Sequence, residues 1–95
     1  MEWKYEKGRV YSMGKGNELM AEATFSIKEN GEIDINHTYV NPVLRGRGVA
    51  GEMMTVVCKF LRKNKLRASA TCPYASTWLE KHKDLWEDVI SEGFQ

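Results

Sequence analysis

Along the first part of the chain apolar residues alternate with polar ones, and after a glycine-rich junction the period lengthens to that of a helix. Arg9-Val10-Tyr11-Ser12-Met13 reads as a short first strand, ended by Gly14-Lys15-Gly16-Asn17. Leu19, Ala21, Ala23, Phe25 and Ile27 alternate with Met20, Glu22, Thr24 and Ser26, the period of a strand with one buried face. Glu29-Asn30-Gly31 supplies a tight turn, because Asn-Gly tolerates positive φ. Ile33, Ile35, His37 and Tyr39 continue the alternation on the next strand, so these segments predict an antiparallel meander.

From Val49 the pattern changes. Val49, Met53, Val56, Val57, Phe60 and Leu61 recur at helical spacing, with Glu52, Thr55, Lys59, Arg62 and Lys63 between them. This predicts one amphipathic helix of about four turns, broken at Asn64-Lys65. Leu66 to Thr71 reads as a strand of small residues. A strand–helix–strand order implies a right-handed crossover, which sets that strand parallel to the one ending near Val40. Pro73 suits the first turn of a second helix, whose buried side would carry Tyr74, Ala75, Trp78 and Leu79. Leu85, Trp86, Val89 and Ile90 then pack a helical C-terminus onto the sheet. The fold class is α+β: a three-stranded meander, a central helix, a parallel fourth strand and a helical tail.

The junction between the two periods is Val40-Asn41-Pro42-Val43-Leu44-Arg45-Gly46-Arg47-Gly48-Val49-Ala50. A helix start leaves its first N–H groups without intrahelical partners, and the dipole there favours negative charge. Glycines let the backbone approach a phosphate closely, so the turn is a candidate diphosphate cradle. It is not a Walker loop, since no Gly-Lys-Ser/Thr follows. It also lacks the third glycine and later acidic residue of a dinucleotide fingerprint.

Composition narrows the class. With 95 residues the chain is read as a single domain over positions 1–95, with one small core. A net charge of +1 argues neither for nor against nucleic acid, but a DNA-binding role would want more excess positive charge and a recognisable module, so no nucleic-acid partner is expected. Lys59, Arg62, Lys63, Lys65 and Arg67 read as a solvated helix end. The start has no apolar leader and no segment reaches spanning length, so the expectation is a cytoplasmic protein without membrane association. Cys58 and Cys72 are then reduced thiols, and their spacing is not that of a metal site.

Arg45-x-x-Gly48-x-Ala50 resembles the acetyl-coenzyme A loop of the GNAT superfamily of N-acetyltransferases, Arg/Gln-x-x-Gly-x-Gly/Ala. The resemblance runs from about Leu19 to Leu79 and is nearest to the minimal, YjdJ-type single-domain group. It also rests on Ile35-Asn36-His37-Thr38-Tyr39-Val40 and Thr71-Cys72-Pro73-Tyr74. It implies that acetyl-CoA is the co-substrate. By that likeness Arg45, Gly46, Arg47, Gly48, Val49 and Ala50 hold its pyrophosphate, and the backbones of Thr38, Tyr39 and Val40 bind the pantetheine arm. Larger members carry further strands and helices that build an acceptor pocket, and these are not expected within the 95 residues.

Two side chains are candidates for catalysis. Cys72 follows the last strand at a helix N-terminus, a position that lowers a thiol pKa. It could act as general acid to the departing thiolate or as a nucleophile, and a small buried structural cysteine is the competing reading. His37 shares parity with Ile33 and Ile35, so its ring is expected on the core face. A neutral imidazole could still deprotonate an incoming amine. Asp34 and Asn36 are expected on the other face. Tyr74 is read as core packing or a lip of the acyl pocket, Cys58 as structural, His82 as surface and the tryptophans as core or tail anchors.

The expected function is acetyl-CoA-dependent N-acyl transfer to an amine acceptor, protein or small molecule, by a monomer or homodimer. A CoA or acyl-CoA binding module with little turnover is the alternative. A third reading is an interaction domain whose phosphate loop has nothing to do with CoA.

Overall fold

In a computed structural model of the chain, which describes residues 1–92, five strands form one sheet in the order β1-β2-β3-β4-β5. They are β1 (Lys4–Glu6), β2 (Arg9–Met13), β3 (Leu19–Ile27), β4 (Ile33–Val40) and β5 (Ala68–Ala70). The first four pair antiparallel and β5 pairs parallel to β4. Helix α1 (Val49–Lys63) makes the crossover between β4 and β5, and α2 (Pro73–Lys81) follows β5. The expected meander thus has one more strand than its periodicity shows. Lys4-Tyr5-Glu6 is wholly exposed, so no apolar alternation marks it. It is held by pairing to β2 and by Tyr5 stacking on Phe60 at 5.2 Å.

The two helices share one face of the sheet. Val10, Ala21, Ala23, Ile33, Ile35 and Ala68 pack there against Met53, Val57 and Leu61 of α1 and Ala75 and Leu79 of α2. Small residues on β3 and β5 let α1 lie close, so methionine and leucine side chains fill the gap. Just beyond α1, Lys65 with a φ of +56° turns the chain so that the Leu66 amide donates to the Leu61 carbonyl at 2.9 Å. Beyond α2 the chain returns to β5, where Ala68 bridges Ile90 and the Ser91 amide donates to the Ala68 carbonyl.

Three sequence expectations change here. Arg62 is no merely solvated residue. Its Nε and Nη2 reach both carboxylate oxygens of Asp88 at 2.7 and 2.6 Å, and its guanidinium lies over the Trp86 ring. Asp88 holds the Arg62 pKa up through this bond, and Arg62 holds the Asp88 carboxyl down in return. His82 is half-buried, stacked on Trp78 at 4.1 Å with Nδ1 2.8 Å from the Trp78 carbonyl oxygen, because the end of α2 folds its ring back. Tyr74 is exposed at 41 %, so α2 buries Ala75, Trp78 and Leu79 but not Tyr74.

Candidate functional site

The site begins at an irregularity in β4. Thr24 pairs with His37 but Phe25 pairs with Ile35, so Asn36 is an extra residue, a β-bulge. An extra residue reverses the facing of everything after it. Before the bulge Ile33 and Ile35 face the core, and after it Thr38 and Val40 do, opposite Ala23 and Ala21. Asn36 points to the uncovered face, where its amide group bonds Thr24 and Ser26. His37 is exposed there too, which corrects its expected place on the core face. The unbroken alternation Ile33, Ile35, His37, Tyr39 conceals this, because a bulge leaves no signal in a hydrophobic pattern.

β4 also outruns its neighbour. Its last pair with β5 is Ile35 with Ala70, while on the other side β3 accompanies it to Val40. From Asn36 to Val40 one edge of β4 therefore faces an opening, with the unpaired polar groups of an edge strand. The opening has a fixed corner. The Thr71 and Cys72 amides both donate to the Ile35 carbonyl at 3.1 Å, and Asp34 accepts from the Thr71 amide at 2.9 Å and hydroxyl at 3.0 Å.

Cys72 caps the start of α2 and is buried, 7 % exposed. Its Sγ lies 3.3 Å from Thr38 Oγ1 across the opening. Burial pushes the thiol pKa up, but the Thr38 hydroxyl and the amides of Ala75, Tyr74 and Thr38 outweigh it, and the net shift is below the ordinary thiol value. Neither helix amide makes a full hydrogen bond to the sulfur, so they act as oriented dipoles. Cys58 is the contrast. Wholly enclosed in α1, its thiol is pushed up to about 12 by burial. The two thiols therefore sit in opposite environments.

Beyond Val40, Asn41 opens a 3₁₀ turn, Pro42–Leu44, by accepting the Val43 amide, and Arg45 to Gly48 lead into α1. Gly46 and Gly48 have φ of +79° and +73°, a region other residues enter only with strain. Gly48 caps the helix without a side chain, so no side-chain group occupies the first amides, those of Val49, Ala50 and Gly51. Val40, Leu44, Arg45, Gly46, Gly48, Val49, Ala50, Gly51 and Tyr74 line a cleft of about 310 Å³. Arg45 and Arg47 are exposed beside it and form no ion pair among the described residues.

This donor set fits a diphosphate: uncapped amides at a 15-residue helix, its positive dipole end and two guanidinium groups without carboxylate partners. The cleft runs from there past Val40 and Tyr74, next to the Thr38–Cys72 opening, an apolar path for a pantetheine-like chain. Larger hollows of about 500 and 340 Å³ lie elsewhere, at Arg67–Glu92 side chains and between Tyr5 and Asn64, away from both glycines and cysteine. Among the described residues no His, Cys, Asp and Glu cluster could hold a metal ion, and no helix is long and apolar enough to cross a membrane.

Of the expected residues, Arg45, Gly46, Gly48, Val49, Ala50 and Val40 line one cleft, Arg47, Thr38 and Tyr39 do not, and Cys72 contacts Thr38 of β4. His37 stands on the opposite face of β4 from the Thr38–Cys72 contact. The sequence reading assigned Thr38 through its backbone alone and missed its hydroxyl, whose direction depends on the bulge. It also missed Leu44 and Gly51 as cleft walls.

The comparisons with known proteins bear on the family and the fold. The family model described as GCN5-related N-acetyl-transferase matches residues 10–89. Among solved structures, a GCN5-like protein from Staphylococcus aureus is 33 % identical with a TM-score of 0.77, over 95 % of this chain and 87 % of its own. The ribosomal-protein-alanine N-acetyltransferase of Brucella melitensis biovar Abortus shares the fold at 20 % identity and a TM-score of 0.53. That likeness covers 90 % of this chain and 64 % of the Brucella chain. No curated protein matches.

Proposed function

Since the chain belongs to the GCN5-related N-acetyl-transferase family, we propose that it moves an acetyl group from acetyl-CoA to an amine, with the cleft at Arg45–Gly51 as its donor site. The observation that carries this reading is that cleft, lined from an uncapped helix start and Arg45 to Val40 and Tyr74, each two residues away in sequence from the Thr38–Cys72 contact.

The co-substrate supplies an activated thioester. The amides of Val49, Ala50 and Gly51, with Arg45 and Arg47, hold its diphosphate, and the open edge of β4 from Thr38 to Val40 lines its arm. Edge amides oriented in advance polarise a carbonyl without reorganising, which is where most of the rate gain arises. His37, exposed on the uncovered face, receives the proton that the amine loses. On the helix side, Cys72 Sγ–H gives its proton to the departing sulfur and regains one from solvent. A thiol whose anion is stabilised donates more readily, so its lowered pKa suits this role.

A second reading, a CoA-binding module with little turnover, is favoured by the uncovered sheet face around Asn36 and His37. Both side chains are exposed and both helices lie on the other side. One experiment separates the two. Calorimetry with acetyl-CoA establishes binding, and CoA release with a panel of amines and lysine peptides establishes turnover. Binding with CoA release is the expected result. Binding without release for every amine supports the module, and no binding at all removes both.

A further inference from the structure

We propose that Thr38 is a positioning residue for Cys72: its hydroxyl donates to Sγ and holds the sulfur as an anion after the proton has left. This rests on the reading of Cys72 as the acid. Three observations lead to it. The first is the bulge at Asn36, which turns Thr38 towards the helices; an unbroken β4 would aim it at the uncovered face with Asp34. The second is the reach of the contact, which crosses the opening from β4 to the start of α2 at 3.3 Å.

The third is that the backbone carrying the sulfur is anchored at two consecutive residues. The Cys72 amide is tied to the Ile35 carbonyl, and Asp34 ties the preceding Thr71 twice. The contact is therefore set by bonds that fix the backbone at Thr71 and Cys72.

The chemistry is asymmetric. With a neutral thiol either group can donate to the other. With a thiolate only the hydroxyl can, and the bond becomes charge-assisted. The contact thus favours the anion selectively, as a hydrogen bond to a charged form does. When Cys72 gives its proton to the leaving sulfur, the S–H bond breaks and the charge left on Sγ is met by the Thr38 O–H. When solvent returns a proton, the hydroxyl goes back to the ambivalent contact. No other co-reactant is needed.

The test reads the pH dependence of Cys72 alkylation by iodoacetamide, with the adduct located by mass. Cys58, enclosed and pushed up to about 12, stays silent under the same conditions. Thr38→Val keeps the shape and removes the hydroxyl, and it is expected to raise the midpoint by about one pH unit. Below the midpoint that is a rate about tenfold lower. Thr38→Ser is expected to restore the wild-type profile. Thr38→Ala, which adds no volume, should follow Thr38→Val.

Coincident midpoints for wild type and Thr38→Val, or a Thr38→Ser profile like that of Thr38→Val, would overturn the proposal. So would unfolding of both the valine and alanine variants, since the hydroxyl would then be structural. The acid role of Cys72 is judged separately by turnover in Cys72→Ala. Full turnover there removes that role and leaves the alkylation result standing.

Discussion

Gly48→Val isolates the backbone conformation on which the donor site depends. Gly48 sits at φ +73° and ψ +14°, the left-handed region, directly before the first residue of α1. A Cβ there would meet no heavy atom within 4 Å, so crowding contributes nothing to the cost. What remains is the clash of Cβ with its own backbone, about 1–2 kcal/mol for an ordinary residue and more for a β-branched one. In a domain of this size each kcal/mol corresponds to a melting-temperature drop of about 4–8 °C. The chain has two ways to respond. It can keep the conformation and lose about that much stability, or rotate Gly48 out of the region and displace the amides of Val49 and Ala50. In the first case CoA affinity holds while Tm falls, and in the second affinity falls. Gly48→Asn should lose less of either, because asparagine tolerates this region. Thermal denaturation with and without CoA, together with calorimetry, reads both quantities. A valine variant as stable as wild type that also binds CoA as tightly would refute the reasoning.

Three further outcomes follow from the same geometry. Arg45→Ala and Arg47→Ala should each weaken CoA about tenfold at low salt, the scale of one charge-assisted bond, and by less as salt rises. Neither should affect acetyl-pantetheine, which has no diphosphate; equal losses for both ligands would place the arginines outside the phosphate site. Burial raises Cys58 from 9.0 to about 12, so between those values the unfolded chain has lost this proton while the folded chain retains it. Stability should fall with rising pH across that window, by at most about 1.4 kcal/mol per unit from this group. Urea unfolding should show the slope reduced in Cys58→Ala, and an unchanged slope would mean the thiol titrates alike in both states. For the acid role, Cys72→Ala should lower kcat about 10²-fold, the lower end for general acid catalysis, with acetyl-CoA affinity retained. Intact mass after incubation with acetyl-CoA should show no acetyl on Cys72; a stable adduct would make it a nucleophile instead.

The order of elements was legible because each has a local cause. Alternation on Leu19–Ile27 marks a half-buried strand, 3.6 periodicity on Val49–Leu61 marks an amphipathic helix, and Asn30-Gly31 marks the turn between β3 and β4. The glycines before Val49 were legible for the same reason. Positive φ at Gly46 and Gly48 and an uncapped helix start are properties of a few adjacent residues. The fold class and the loop at Arg45–Ala50 could therefore be read from the chain alone.

The surroundings of His37, Thr38 and Cys72 were decided by tertiary structure. His37 and Thr38 exchange faces because of one unpaired residue, Asn36, and a bulge arises from pairing with β3 rather than from the residues of β4. The opening exists because β5 pairs only as far as Ala70, and the Asp34–Thr71 bonds fix where it begins. Cys58 and Cys72 are the same residue type. Enclosure in α1 raises one thiol, while an oriented hydroxyl and helix amides lower the other. Local sequence sets which elements form and where a helix start is left uncapped. Which side chains meet across the opening depends on long-range pairing and on the dielectric around each sulfur, and neither is a property of neighbouring residues.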